Sequence, residues 1–258
     1  MPIFSIAMPL ANRISCFICG KSQTKKQKLN FTTIAHLALD GMHTAGTVTT
    51  NAVWDMQRAD AAFEDSNPNT EYNSRAWQYL ESLALCQIVN AYQWYNNQVF
   101  KLLAQIDPTA FHRFKDSANL RPADIERIAK GEPPVAILAE RISFNDSVVR
   151  KHLHTTLGIW EESEMSILVE IRNCITHHLG KDHQHKVENW LESGSSPWQL
   201  KPLIAVFDGF IHFFRDSHRV VQTIGLAQIS IFDQVVAKRF NLPVSPYNAP
   251  TLQRSVMG

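Results

Sequence analysis

The amino-acid sequence predicts an all-α protein, a helical bundle preceded by an N-terminal extension. Apolar residues recur at three- and four-residue steps over several stretches, which is the spacing of one helix face. Glycine and proline stand at the ends of those stretches, where they terminate helices. No strand-like alternation of any length and no internal repeat is present. We place the boundary near residue 70, between an extension (1–70) and the bundle (71–258).

The helices follow from apolar periodicity and from end signals. The longest runs from Arg75 to Ile106, where Asp107-Pro108 ends it. The remaining predicted elements are a short helix over Pro122–Ala129, a helix capped by Asn145-Asp146-Ser147 that runs to Thr156, the stretch Glu161–Leu179, and two closing segments, Pro202–Phe214 and Val220–Phe240.

The first 70 residues give weaker signals. Threonines and glycines interrupt the stretch from Phe31 to Asn73, and a short helix over Val53–Phe63 is the clearest element there. Cys16 and Cys19 have the spacing of half a zinc knuckle, but a closed site needs two more ligands, and none follows at the usual spacing. Zinc at this pair is therefore a minor alternative, and we expect no metal in the protein.

Composition limits the functional classes. With 258 residues, of which 45% are hydrophobic, the chain can bury a large core. Its net charge of +1 is low for a nucleic-acid binder, so RNA binding requires local basic patches. Two such patches exist, and each also fits an ordinary solvated loop: the lysines at 21, 25, 26 and 28, and the group Lys181, His183, His185 and Lys186.

Location is predicted from the same sequence. The apolar runs are too short to span a bilayer, and no basic leader precedes the mildly apolar N-terminus. Four cysteines without a regular framework are typical of a reducing compartment. We therefore expect a cytoplasmic protein without a membrane partner.

The most informative segment is Arg172-Asn173-Cys174-Ile175-Thr176-His177, followed at once by His178. It ends the predicted helix Glu161–Leu179, whose apolar positions recur at helical spacing and which stops at Gly180. Of the 13 arginines, Arg172 alone has a histidine five to seven positions later. Cations favour helix C-termini, so histidines there also fit a purely structural role.

The helix geometry leaves the role of Arg172 open. Arg172 falls four residues after Leu168, inside the apolar stripe, where a charge needs a partner, an exposed head or a cleft. His177 lies about 140° around the helix from Arg172. The two side chains would converge if the last turn tightens, or if two copies of the helix meet in a dimer.

An arginine, an amide and an imidazole suit a metal-free ribonuclease, because they can hold a phosphate, fix its orientation and move protons near neutral pH. The string resembles the Arg-x(4–6)-His signature of the HEPN superfamily of helical toxin and defence ribonucleases, in which asparagine often follows the arginine. The resemblance covers the motif, its helix and the helical context from about Arg75 to Phe240.

This resemblance implies a HEPN-type bundle in which Arg172 and His177 are catalytic and Asn173 supports them, with His178 as an auxiliary group. It also implies a homodimer that joins two motifs over one RNA cleft, without a cofactor. Lys181, beyond the motif, and Arg150 and His154, on the preceding helix, are candidates for RNA contacts, although an exposed helix face explains the latter two equally well.

The predicted function is a metal-independent endoribonuclease, a toxin or a stress or phage-defence effector that an antitoxin or another regulatory partner could control. One alternative is a non-catalytic RNA- or protein-binding subunit, such as an antitoxin or a scaffold. Another is a metal-dependent hydrolase that uses the histidines at 177, 178, 183 and 185, but no carboxylate joins them at a recognised spacing.

Overall fold

A computed structural model describes residues 31–63, 70–106, 120–142, 147–159, 163–193, 200–214 and 216–242. Over these ranges the protein is mostly helical, with eight α-helices and a single two-stranded sheet, which confirms the predicted all-α character. The helices are α1 (Phe31–Phe63), α2 (Thr70–Ile106), α3 (Pro122–Ala129), α4 (Pro134–Arg141), α5 (Ser147–Leu157), α6 (Ser163–His178), α7 (Lys186–Glu192) and α8 (Ser217–Phe240). The antiparallel strands are β1 (Ile204–Phe207) and β2 (Phe210–Phe213).

Helix α2 lies at the centre of the bundle and contacts α1, α4, α6 and α8. Its inward side chains, among them Leu85, Ile88 and Tyr95, are fully buried in one continuous core. Helix α8 approaches closely at Gly225, where an added Cβ would lie 2.9 Å from Cγ2 of Ile88. The absence of a side chain at Gly225 therefore lets α8 pack closely against α2.

Helix α1 differs from the prediction, which placed only a short helix over Val53–Phe63. The helix is continuous over Phe31–Phe63, because its buried residues (Phe31, Ile34, Ala38, Met42 and Ala45) recur at three- and four-residue steps and pack on α2 and α8. Tertiary burial therefore outweighs the weak helix propensity of its threonines and glycines. Since α1 belongs to the same core, the expected boundary near residue 70 does not separate it from the bundle.

Most other predicted helices are confirmed within a few residues, including the motif helix, α6. Helix α4 was missed because Pro133-Pro134 indicated a break, whereas Pro134 is the first helical residue, a position that proline favours. The cap residues Asn145 and Asp146 and the pair Cys16 and Cys19 lie outside the described residues.

The prediction of a helix over Pro202–Phe214 is wrong. It forms one short 3-10 turn and a β-hairpin in which Phe207 pairs with Phe210 across a two-residue turn. Both turn residues, Asp208 and Gly209, have positive φ angles of 49° and 77°. Those angles define a type I′ turn, for which Asp-Gly is a preferred sequence.

Helix α8 is the one described helix that is long and apolar enough to cross a membrane, contrary to the expectation that no segment is. Its most apolar window is 56% buried inside the bundle, where it packs against α1, α2 and α6. Core helices of globular proteins meet the same criteria of length and hydropathy.

Candidate active site at the end of the motif helix

The last turn of α6 presents two imidazoles to solvent. His177 and His178 are both exposed, and the helix ends directly after them, where Leu179 and Gly180 take positive φ angles of 53° and 84°. The amide of Gly180 donates to the carbonyl of Cys174 at 2.9 Å and closes the helix end. Gly180 therefore acts as the predicted stop.

A third imidazole joins this pair from the following loop. The rings of His178 and His183 are 5.0 Å apart between centroids, in an edge-to-face arrangement. The rings of His177 and His178 are 6.5 Å apart. We call these three exposed side chains the imidazole cluster. Imidazoles at this spacing can act on one substrate, since one can accept and another can donate a proton.

The loop that carries His183 is fixed by the hairpin. The amide of Asp182 donates to the carbonyl of Gly209 at 2.8 Å, and the amide of Ile211 donates to the carbonyl of Gly180 at 2.9 Å. Lys181 thus forms an isolated antiparallel bridge with Phe210. The hairpin therefore lies directly beside the imidazole cluster.

The buried carboxylate of Asp182 holds the other end of this loop. It accepts hydrogen bonds from the amides of Lys186, Val187 and Glu188 at 3.1, 2.8 and 3.0 Å, and so caps the N-terminus of α7. His183 is therefore carried by a loop that is anchored at both ends.

Basic groups around the cluster differ in their partners. The Lys181 ammonium is exposed and lies 5.9 Å from the ring centroid of Phe210. Nζ of Lys186 pairs with Glu170 at 3.4 Å. Nδ1 of His185 lies 2.7 Å from the Glu188 carboxylate, and this hydrogen bond raises the pKa of His185. Lys181 is thus the best placed of these basic groups to meet a phosphate.

Arg172 lies in the interior and is only 5% exposed, which decides between the buried, exposed and cleft positions that the apolar stripe left open. Its guanidinium donates a hydrogen bond to the side-chain oxygen of Gln93 on α2. Burial lowers the pKa of Arg172; the thiol of Cys86 counteracts this effect, and the nearby Arg150 adds to it. The guanidinium therefore fastens α6 to α2 and does not face a surface groove.

Arg172 and His177 are not brought together within one protomer. Arg172 faces α2, whereas His177 is exposed. The two side chains point apart because residues five positions apart lie about 140° from each other around a helix. The side chain of Asn173, the next residue along the helix from Arg172, is half-buried. A site that uses both side chains on one phosphate would require a rearrangement or a second protomer.

Arg150 and His154, the candidates for RNA contacts on α5, lie inside the bundle and not on an exposed helix face. They are 0% and 3% exposed. Nε2 of His154 lies 3.5 Å from both the Tyr92 hydroxyl and the Asn96 side-chain oxygen, and its ring packs on Phe232. Burial, aided by Arg150, lowers the pKa of His154 to about 3, so the ring is neutral near pH 7. Contact with RNA requires an exposure that neither side chain has.

Sequence reasoning missed the aromatic residues beside the cluster. Phe207, Phe210 and His212 were assigned to a helix, although Asp208-Gly209 between two apolar runs is a hairpin signal. The sequence points to His183 only as part of a basic patch and of the alternative histidine metal site. Within the described ranges, no group of three or more histidine, cysteine or acidic side chains is arranged to hold a metal ion.

The chain matches no family model, no curated protein and no solved structure. The resemblance to HEPN domains therefore rests on the motif, its helix and the helical context.

Proposed function

We propose that this protein is a metal-independent endoribonuclease of HEPN type whose reactive surface is the imidazole cluster. The observation that supports it best is the exposed pair His177 and His178 at the end of the Arg-Asn-x3-His helix, with the His183 ring 5.0 Å from that of His178. Three imidazoles and the exposed Lys181 provide proton transfer and charge neutralisation on one surface.

The proposed reaction needs two imidazoles in opposite protonation states. A neutral imidazole accepts the proton of the RNA 2′-hydroxyl as its oxygen attacks the adjacent phosphorus. A protonated imidazole donates a proton to the 5′-oxygen as the P–O5′ bond breaks. The products are a 2′,3′-cyclic phosphate and a 5′-hydroxyl, and the Lys181 ammonium offsets charge that builds on the phosphate.

In this proposal Arg172 is a positioning residue, because its guanidinium is buried and donates a hydrogen bond to Gln93. A homodimer that brings two imidazole clusters over one RNA cleft belongs to the same proposal. The proposal also includes a cytoplasmic location, a role as a toxin or as a stress or phage-defence effector, and control by an antitoxin or regulatory partner. No cofactor enters the chemistry.

The test is incubation of the purified protein with total cellular RNA in excess EDTA. We expect discrete fragments whose 3′ ends are cyclic phosphates and whose 5′ ends are hydroxyls, because imidazoles replace the metal. Fragments ending in 5′-phosphates, or cleavage that EDTA abolishes, would contradict the proposal.

Burial of Arg172 supports a second candidate, a non-catalytic RNA- or protein-binding subunit such as an antitoxin or a scaffold. In that case the motif arginine helps to hold α6 on α2 through its bond to Gln93, and the exposed histidines form a contact surface. RNA that stays intact in the EDTA experiment and under added divalent cations, but is retained on the protein in a filter-binding assay, would favour this function.

The positioning role of Arg172 predicts a specific pattern of kinetics. Arg172→Ala and Gln93→Ala should each lower kcat about ten- to a hundredfold with little change in KM, because α6 loses the same anchor in both. The double variant should be no worse than either single variant. A direct phosphate contact predicts instead a much larger loss for Arg172→Ala than for Gln93→Ala, and a purely structural role leaves kcat of the folded protein unchanged.

A further inference from the structure

We propose that the tip of the β-hairpin is a stacking platform that selects unpaired bases of single-stranded RNA. The platform consists of the rings of Phe207 and Phe210, with Nζ of Lys181 over the Phe210 ring. This inference rests on the proposed function, since it names the form of RNA that the imidazole cluster would cut.

The first argument is the exposure of the hairpin's outer face. The inner positions Ile204, Ile211 and Phe213 are buried against the core. On the outer face Phe207 is 55% and Phe210 is 43% exposed. An antiparallel sheet normally presents polar side chains to solvent, so two neighbouring exposed phenylalanines indicate a binding surface.

The second argument is the register of the strands. Phe207 and Phe210 form the last pair before the turn, so their side chains leave the same face of the sheet about 5 Å apart. His212 lies on this face, and its ring is 5.3 Å from that of Phe207. The rings are therefore side by side on a two-residue type I′ turn, which is a rigid support.

The third argument is the position of the platform. The bridge between Lys181 and Phe210 and the bond from the Asp182 amide to Gly209 join the hairpin to the loop of the imidazole cluster. On the α2 side, the amide of Phe213 donates to the Gln78 side-chain oxygen at 2.8 Å, and the Gln78 side-chain amide donates back to the Phe213 carbonyl. The platform is thus held at a fixed place beside the imidazoles.

The chemistry of the surface favours RNA over a lipid or a protein partner. Aromatic rings interleaved with a cation are the arrangement that binds single strands, because bases stack on the rings and the cation meets the phosphates. The Lys181 ammonium is 5.9 Å from the Phe210 ring centroid and faces solvent. The exposed Asp208 carboxylate at the tip repels phosphate, so the backbone is expected on the Lys181 side.

Paired bases are stacked inside their helix and cannot lie on the rings. The platform therefore predicts cleavage in loops and single-stranded stretches next to bases that stack on Phe207 and Phe210. Duplex RNA should bind weakly, through phosphate contacts alone.

The experiment measures binding of a short fluorescein-labelled 2′-O-methyl RNA by fluorescence anisotropy, as a single strand and as a duplex. The 2′-O-methyl group removes the nucleophile, so binding is measured without cleavage. We expect the double variant Phe207→Ala/Phe210→Ala to bind the single strand at least tenfold more weakly, given about 1–3 kcal/mol for each stacked base. The weak duplex binding should stay unchanged.

Three further variants separate stacking from other contacts. Tyrosine at both positions keeps the rings and should retain binding, whereas leucine at both keeps apolar area without a π-face and should lose it. Asp208→Asn keeps a turn-compatible residue and removes the negative charge, so it should tighten binding. Leucine variants that bind like wild type would overturn the proposal.

The oligomeric state, measured by light scattering on the same samples, tests the alternative occupants. Loss of a dimer in the alanine variant, with RNA binding unchanged, would assign the face to a second copy and overturn the platform. Phenylalanine-dependent binding without cleavage of ordinary RNA would leave the platform standing and reject the ribonuclease. Cleavage at the wild-type rate by the variant that lacks both phenylalanines would support the ribonuclease and reject the platform.

Discussion

Replacement of His177 by alanine is expected to lower the rate of RNA cleavage about 10²–10⁴-fold without changing the fold. A positioned acid or base supplies a rate factor of that size. The side chain is exposed at the end of α6, so its removal leaves no cavity and no buried polar group. His177→Ala together with His178→Ala should abolish cleavage, because neither imidazole of the pair can then replace the other.

A matched control is His152→Ala, which removes an exposed imidazole from α5, away from the motif turn. It should cleave RNA at the wild-type rate. The readout is the single-turnover rate on one defined RNA in EDTA, with far-UV circular dichroism and light scattering on every variant. Equal rates for His177→Ala, the double variant and His152→Ala, at unchanged helicity, would remove the imidazole cluster from the mechanism.

Helix α6 could be predicted from sequence because it depends on local pattern, whereas the burial of the Arg172 head group stayed open between a buried pair, an exposed head and a cleft. Apolar residues at helical spacing, with Gly180 as the stop, set the helix, and the four-residue step from Leu168 to Arg172 puts the arginine in its buried stripe. The partner of that arginine, Gln93, is 79 residues away and carries no local signal. The position of the arginine in the stripe can thus be foreseen, whereas its burial depends on a distant partner.

The hairpin and α1 show two different limits. Apolar residues dominate Ile204–Phe207 and Phe210–Phe213, so hydropathy does not alternate along either strand. Only the Asp208-Gly209 turn marks the hairpin in the sequence. In α1, threonine and glycine masked a regular apolar repeat whose helical state depends on packing against α2 and α8. The hairpin error therefore comes from a missed local turn signal, and the α1 error comes from tertiary contacts that override local preference.

Side chains of α2 organise the parts of the bundle that carry the candidate site. Gln78 binds both backbone groups of Phe213 and holds the hairpin. Glu81, one turn later, holds the start of α8, and Gln93 holds Arg172 of α6. The imidazole cluster and the platform are therefore positioned by polar side chains of one central helix.

Among these polar side chains, Glu81 should have the largest effect on stability. Its carboxylate is 1% exposed and accepts hydrogen bonds from the amides of Asp216 and His218 at 3.1 and 2.6 Å, and from the Ser217 hydroxyl at 2.8 Å. The His218 ring lies 2.9 Å away through Nδ1, which donates to the carboxylate. Glu81 therefore caps the positive end of α8 from another helix, because the side chain of the cap residue Asp216 makes no capping hydrogen bond and pairs with Arg219 instead.

Glu81→Ala is expected to lower the free energy of unfolding by about 3–5 kcal/mol, because several buried donors lose their acceptor and each unsatisfied group costs about 1–3 kcal/mol. Four donors at the start of α8 then lose their acceptor, and His218 keeps only its contact with the Thr50 hydroxyl at 3.0 Å on its other nitrogen. Urea unfolding at neutral pH measures the loss as a shift of the midpoint at constant slope. Glu81→Gln retains an acceptor oxygen without the charge, so its free energy of unfolding should lie between those of the wild type and Glu81→Ala.

Glu126→Ala, which removes an exposed carboxylate from α3, is the matched control and should change stability by less than about 0.5 kcal/mol. If Glu81→Ala unfolds at the same urea concentration as Glu126→Ala, the carboxylate is not the cap that holds α8. If it unfolds earlier, the imidazole cluster should still retain its single-turnover rate in the folded fraction, because Glu81 stabilises α8 and does not touch α6. A stability loss with an unchanged rate would thus separate the support of the fold from the chemistry at the end of the motif helix.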